Sequence, residues 1–181
     1  MTTKKKEIIL GVTGSIAAYK ACEIANLLKK AGYNLTVIMT QEATKFLSPL
    51  TFQTISDNRV LTDLFTPSGE WKSLHTSLGE KADLVLIAPA TANIIGKIAN
   101  GICDDLLTCT VFSTQAMVLI APAMNELMYK SKIVQFNIQK LKSAGYIFVG
   151  PIRGHLMCGI KGIGHLAEVN TIVKEVKQAV K

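Results

Sequence analysis

The side chains able to do chemistry fall in five stretches. His75, in Ser73-Leu74-His75-Thr76-Ser77-Leu78, offers an imidazole that titrates near neutral pH and suits a general base. Its alternative is an ordinary surface residue. Asn125, in Pro122-Ala123-Met124-Asn125-Glu126-Leu127-Met128, presents one donor and one acceptor, which fits a substrate carboxylate or amide. It would equally cap the helix expected to run through Ile133, Ile138 and Leu141. Cys158 lies in the glycine-dense segment 150–164 with Arg153, His155 and Lys161 close in sequence. Basic neighbours favour a thiolate, and such a segment reads as a mobile lid; a glycine-rich connection with an incidental thiol is the other reading. Asp104 and Asp105 have the composition of an acid/base pair, but the start of a helix explains them more simply, because carboxylates there complement the dipole. Gly14 and Ser15 follow an apolar run and open a helix, a geometry that binds phosphate. Neither GxxxxGK(S/T) nor GxGxxG is present, so a tight turn with a serine cap stays open.

The elements that would position these groups alternate along the chain. Glu7–Val12 is a strand, followed by a helix to about Ala31, with Gly32 suited to its end. Leu35–Met39 is the second strand, with Thr40 at its carboxyl end. Ser48 and Pro49 start a helix as N-cap and first residue. Arg59–Leu64 reads as a short edge strand and Thr66–Lys72 as a loop carrying Trp71. Asp83–Ala88 is an apolar run of the length of a buried parallel strand, and it leads into the small and hydroxyl-bearing Pro89-Ala90-Thr91-Ala92-Asn93. Helices are expected over Asn93–Ala99 and Asp104–Ser113, strands over Met117–Ala121 and Tyr146–Val149, and a closing helix over Glu168–Val180. This alternation implies one Rossmann-like, doubly wound α/β domain over residues 1–181, with a mainly parallel sheet and helices on both faces. Ligands of such sheets bind outside the carboxyl ends of the strands, where Gly14, Thr40, Thr91 and Asn125 all fall.

Composition narrows the classes. The chain has 181 residues, enough for a full core in one domain. It is 49% hydrophobic and 18% charged, which leaves room for an oligomer interface. No apolar run reaches membrane-spanning length and no signal peptide is recognisable, so a cytoplasmic protein is expected. Cys22, Cys103, Cys109 and Cys158 form no CxxC pair and no zinc spacing, so reduced thiols and no metal are expected. The net charge of +7 reflects solvated lysines or attraction of a phosphorylated ligand. No aromatic-interleaved basic stripe points to nucleic acid.

Five blocks in order, GSIAAYK at 14–20, His75 followed by ADLVLIAPATAN at 82–93, ANGICDDLL at 99–107, PAMNELM at 122–128 and CGIKGIG at 158–164, resemble the flavin-dependent cysteine decarboxylases over nearly the whole chain. Members act on phosphopantothenoylcysteine in coenzyme A biosynthesis or on C-terminal cysteines of peptides. The resemblance implies a Rossmann-like subunit that binds FMN and assembles as trimers or larger multiples, with the site at subunit contacts. It implies that Gly14, Ser15 and Ile16 hold the FMN phosphate side. Thr40, Thr91, Ala92, Asn93, Ile94 and Ala123 would contact the cofactor. His75 corresponds to the active-site histidine, Asn125 to the substrate-binding asparagine and Cys158 to the cysteine of a substrate-covering flap. The implied chemistry is flavin oxidation of the substrate thiol to a thioaldehyde, CO2 loss and re-reduction of the enethiol, with Cys158 giving a proton. Arg153 and His155 are both candidates for the basic substrate clamp, and His165-Leu166 stands where an Arg-Met pair is common. The expected substrate is a small phosphorylated molecule, 4'-phosphopantothenoylcysteine. A modified peptide and a non-catalytic regulatory role are the alternatives. The ligase that makes the substrate is a candidate partner, since the domain is fused to it in many bacteria. This chain would be either a one-function enzyme or a part of such a fusion.

Overall fold

The computed structural model describes residues 5–65, 73–155 and 161–180. Strands β1 (Glu7–Val12), β2 (Asn34–Met39), β3 (Leu84–Ala90), β4 (Met117–Pro122) and β5 (Ile147–Phe148) form one sheet in the order β2-β1-β3-β4-β5. All four pairings are parallel. The order reverses between β1 and β3, which makes their carboxyl ends the topological switch point.

The period of two along each strand divides the core into two layers. Ile8, Leu10, Val12, Leu84, Leu86, Leu119 and Ala121 face one side, where helices α1 (Ala18–Lys30), α2 (Pro49–Ser56) and α8 (Val169–Ala179) cover them. Ile9, Val85, Ile87, Val118 and Ile120 face the other. There they meet α3 (Leu74–Lys81), α4 (Ala92–Ala99), α5 (Leu106–Phe112) and α7 (Lys132–Ser143). Because both faces are covered, β3 is buried at every position and its sequence is a continuous apolar run instead of an alternation.

The doubly wound α/β expectation holds, with local corrections. Arg59–Leu64 is not a strand: it pairs with the sheet only through an isolated bridge between Leu61 and Ile38. The Tyr146–Val149 strand shrinks to two residues and is not the last one. The described residues of the glycine-dense segment form an antiparallel pair, β6 (Ile152–His155) and β7 (Lys161–His165), in which Gly154 lies opposite Gly162. Residues 156–160, with Cys158, and residues 66–72, with Trp71, lie outside the described part. The long helix expected after Asn125 is broken in two, α6 (Glu126–Lys130) and α7, and Asn125 caps the short one. Among the described residues, no helix is long and apolar enough to cross a membrane.

One buried hydroxyl joins the two loops at the switch point. Thr13, 1% exposed, donates from Oγ1 to the Pro89 carbonyl at 2.7 Å and accepts the Thr91 N–H at 3.1 Å. Replacing it by valine keeps the shape but leaves a buried donor and a buried acceptor unmatched. Thr13→Val is expected to cost about 1–3 kcal/mol in urea unfolding; unchanged stability would refute the bridging role. On the opposite layer, a Cβ added at Gly79 would lie 2.5 Å from the Ser113 carbonyl oxygen and 2.6 Å from its carbon. Backbone cannot yield there without parting α3 from α5, so Gly79→Ala should lower Tm by about 5 °C in a calorimetric scan.

Candidate functional site at the sheet switch point

A cleft of about 330 Å³ opens where β1, β2, β3 and β4 end, within the ~300–1,000 Å³ typical of small-molecule sites. Thr13, Gly14 and Ser15 form one wall, Thr40 and Glu42 a second, Thr91 to Ile94 a third, and Ala123, Met124 and Met128 a fourth. Lys97 and Asp105 complete it.

The first wall suits an anion. Helix α1 begins without a side-chain cap, whereas α4 is capped by Thr91, whose Oγ1 accepts the Ile94 N–H at 3.3 Å. Ser15 turns its Oγ back to accept the Ala17 N–H at 3.3 Å, and its own N–H bonds the Thr13 carbonyl at 2.8 Å. Among the described residues, no hydrogen bond engages the N–H groups of Gly14 and Ile16. The 13-residue α1 adds its dipole to these donors. Gly14 is required for space as well: a Cβ there would collide with Cβ of Glu42. The remaining walls combine hydroxyls, one carboxamide and the Glu42 carboxylate with small or apolar surfaces, Ala92, Ile94, Ala123 and Met124. This donor set fits a flat heteroaromatic ligand with a polar chain ending in a phosphate, which is what a flavin mononucleotide is.

Of the residues expected to hold the cofactor, Gly14, Ser15, Thr40, Thr91, Ala92, Asn93, Ile94 and Ala123 line this cleft. Ile16 does not: its side chain is 49% exposed outside it, leaving only its backbone to contribute.

Six lining residues lie beyond these: Glu42, which borders Gly14, and five with separate reasons. Thr13 ties the walls together. Lys97 lies one helical turn beyond Asn93 and so shares its face. Its Nζ is 2.8 Å from Asp104 Oδ1 and 3.0 Å from Asp105 Oδ2. Desolvation pulls the Lys97 pKa down, but the hydrogen bonds it donates to Asp104 and Asp105, with their charges, outweigh it and hold the amine above the ordinary lysine value. The same contact to Lys97 holds Asp104 below the usual carboxylate range. Asp105 caps α5 in a reciprocal capping box, accepting the Thr108 N–H at 2.8 Å while Thr108 Oγ1 accepts the Asp105 N–H at 3.3 Å. These acids are therefore a helix start and a lysine clamp, not an acid/base pair. Met124 and Met128 belong to the PAMNELM block and supply a polarisable apolar wall.

The catalytic candidates stand apart from the cleft. His75 is half-buried on α3, with Nε2 3.3 Å from Ser73 Oγ, and is not part of the cleft lining. Asn125 is exposed at the rim, and its Oδ1 accepts the Leu127 N–H at 2.8 Å. Arg153 is exposed on β6. His155 ends that strand, and the candidate Cys158 falls outside the described residues. Cys22, Cys103 and Cys109 are free thiols. Burial pushes the thiols of Cys22 and Cys109 up, away from the reactive thiolate.

The hairpin is fastened beside this rim. The Met124 N–H donates to the Gly164 carbonyl at 2.9 Å, and the Ile163 N–H donates to Glu126 Oε1 at 3.3 Å. Gly164, at φ +134°, has no room for a side chain, since a Cβ would strike the Met124 carbonyl oxygen.

Comparison with known proteins agrees with this geometry. The family model described as Flavoprotein matches residues 1–181. The chain is 48% identical over 169 residues to the coenzyme A biosynthesis bifunctional protein CoaBC of Bacillus subtilis, covering 93% of this chain and 42% of that one. It thus spans less than half the length of that relative. It is 39% identical over 175 residues to a probable phosphopantothenoylcysteine decarboxylase of Streptococcus mutans, covering 96% of this chain and 98% of that one. Among solved structures, a PPC decarboxylase mutant complexed with pantothenoylaminoethenethiol superposes with a TM-score of 0.85 at 29% identity, covering 97% and 98% of the two chains. With a cleft at the switch point of a 2-1-3-4-5 sheet, an anion cradle at its first loop and a family match over its full length, the chain belongs to the flavoprotein family.

Proposed function

We propose that this chain is an FMN-dependent carboxy-lyase that removes CO2 from the cysteine moiety of 4'-phosphopantothenoylcysteine to give 4'-phosphopantetheine in coenzyme A biosynthesis. The single observation that carries the reading is the cleft at the switch point, whose first wall is built for a phosphate and whose others suit a flat ring. Near full-length similarity to the Streptococcus mutans protein supports the reaction.

Bound FMN would supply an electron sink at the substrate's thiol carbon, so that carboxylate loss does not leave a bare carbanion. The protein's part is to hold, orient and move protons. The N–H groups of Gly14 and Ile16, with Ser15, hold the phosphate. Thr40, Thr91 and Asn93 bond the polar chain and ring edge, while Ala92, Ile94 and Ala123 allow close approach of the ring. Asn125 grips the substrate carboxylate or the neighbouring amide through its carboxamide. Arg153 or His155 meets the substrate's negative charge. His75 acts as base or orients the thiol, and Cys158 returns a proton to the product carbon.

Because His75 and Asn125 stand outside the cleft of one subunit, the reading includes a homo-oligomer, a trimer or a multiple of trimers, whose contacts complete the site. Exposed apolar side chains on α6 and α7, Leu127 at 78%, Ile133 at 72% and Phe136 at 68%, supply surface for such contacts. The ligase that makes the substrate is the natural partner, as a separate chain or a fused one. The cytoplasm is the expected compartment.

Incubating the FMN-loaded protein with phosphopantothenoylcysteine should give phosphopantetheine by mass spectrometry. Turnover of a peptide ending in cysteine in its place would overturn the substrate. His75→Asn should abolish turnover and leave flavin absorbance bound; persistent turnover would remove His75 from the mechanism. Native mass spectrometry should show three subunits or a multiple of three, and a monomer would contradict the shared site.

A further inference from the structure

The residue after Asn125 has a geometry that the reaction described above does not use. Glu126 opens α6, and Lys130 one turn later pairs with its Oε1 at 2.8 Å. The same oxygen accepts the Ile163 N–H from β7. The carboxylate lies flat on the hairpin: a Cβ added to Gly162 would come within 2.5 Å of Glu126 Oε2 and 2.7 Å of its Cδ. Ile163 is the cross-strand partner of Arg153. A chain of direct contacts therefore runs from the Asn125 turn through the Glu126 carboxylate to Ile163 and across the ladder to Arg153. The bond from the Met124 N–H to the Gly164 carbonyl fixes the neighbouring end of β7 to the same turn.

We propose that Glu126 is a positioning residue for the substrate: its carboxylate pins the β6–β7 hairpin to the Met124–Asn125 turn and so sets Arg153 in register with Asn125. This rests on the reading that Asn125 and Arg153 bind substrate. Lys130 holds the carboxylate from its own helix, and Arg153 draws it from the hairpin side. Gly162 provides the bare surface on which the carboxylate sits. Glu126, Lys130, Ile163 and Arg153 do not line the cofactor cleft, and of the pinned turn only Met124 does, so the pin acts on substrate more than on flavin.

The test uses the full chain loaded with FMN. Glu126→Ala should raise KM for phosphopantothenoylcysteine roughly tenfold with kcat little changed, and FMN affinity should match wild type. Amide exchange at Ile163 should accelerate. Glu126→Gln, whose amide oxygen still accepts the Ile163 N–H but cannot pair with Lys130, should recover part of the loss. Gly162→Ala should reproduce the Glu126→Ala defect and add little to it in the double variant, because the clash needs the carboxylate. Wild-type KM and unchanged Ile163 exchange in Glu126→Ala would overturn the proposal, as would additive Glu126→Ala and Gly162→Ala effects. If wild type fails to turn over phosphopantothenoylcysteine, the substrate reading fails. The pin is then decided by exchange and by the double variant's stability alone: acceleration with non-additivity supports it, wild-type exchange overturns it.

Discussion

The cleft depends on one hydroxyl. Thr13 at the end of β1 and Pro89 to Thr91 at the end of β3 are 76 to 78 residues apart in sequence, and Thr13 Oγ1 bonds both sides of the second loop. Without that bridge the loops at a switch point diverge, since the helices that follow β1 and β3 pack on opposite faces of the sheet. With it, the phosphate-type cradle at Gly14–Ser15 and the ring-type wall at Thr91–Ile94 keep a fixed spacing. The Ala123 N–H bonds the Ala90 carbonyl at 3.0 Å, which brings in the fourth wall, and the Met124 N–H then reaches the hairpin. A run of short contacts thus orders the walls from the first loop to the last hairpin.

Charge is arranged along the same lines. Lys97 lies on the cleft wall between Asp104 and Asp105; the two acids favour the lysine's charged form, and the lysine favours that of Asp104. The low Asp104 pKa makes this clamp's contribution fully present above the ordinary carboxylate value, and it is lost as pH falls through the lowered one. At neutral pH the clamp is formed. It joins the end of α4 to the cap of α5, so the wall opposite the cradle is braced by charge where the cradle itself is built from backbone. The cleft lining holds one lysine, Lys97, against the carboxylates of Glu42 and Asp105, so the net charge of +7 does not come from the lining.

Much of this was legible in the sequence, for physical reasons that differ by element. The buried strands are apolar runs bounded by proline or polar turns, and the parallel order follows from helices between them. The Ser48-Pro49 start and the Asp105 cap are local rules, and the structure obeys them: Ser48 Oγ accepts the Leu50 N–H at 3.3 Å. Ile94 and Ala123 came from the family resemblance, whereas Gly14, Ser15, Thr40 and Thr91 to Asn93 were legible because they follow strands directly. The hairpin was not, because Gly154, Gly162 and Gly164 look like flexibility when their neighbours are unknown. Here a Cβ at Gly162 would strike the Glu126 carboxylate and one at Gly164 the Met124 carbonyl oxygen, while Gly154 packs closely on His165. Thr13 and Lys97 were missed for a related reason: their roles lie in partners from other loops. Arg59–Leu64 misled because its apolar residues join the core, Val60 in one layer and Leu61 and Leu64 in the other, without joining the β2 ladder beyond one bridge.

The most direct test of the account is a comparison of FMN and riboflavin binding to the apo-protein by flavin fluorescence. The two ligands share the ring and the polar chain and differ in the phosphate alone. A cradle of free N–H groups at the α1 terminus predicts that FMN binds at least about a hundredfold more tightly, the worth of two charge-assisted hydrogen bonds to backbone. Equal affinities would mean that the Gly14–Ser15 loop is a bare turn, and the cofactor assignment built on it would fall.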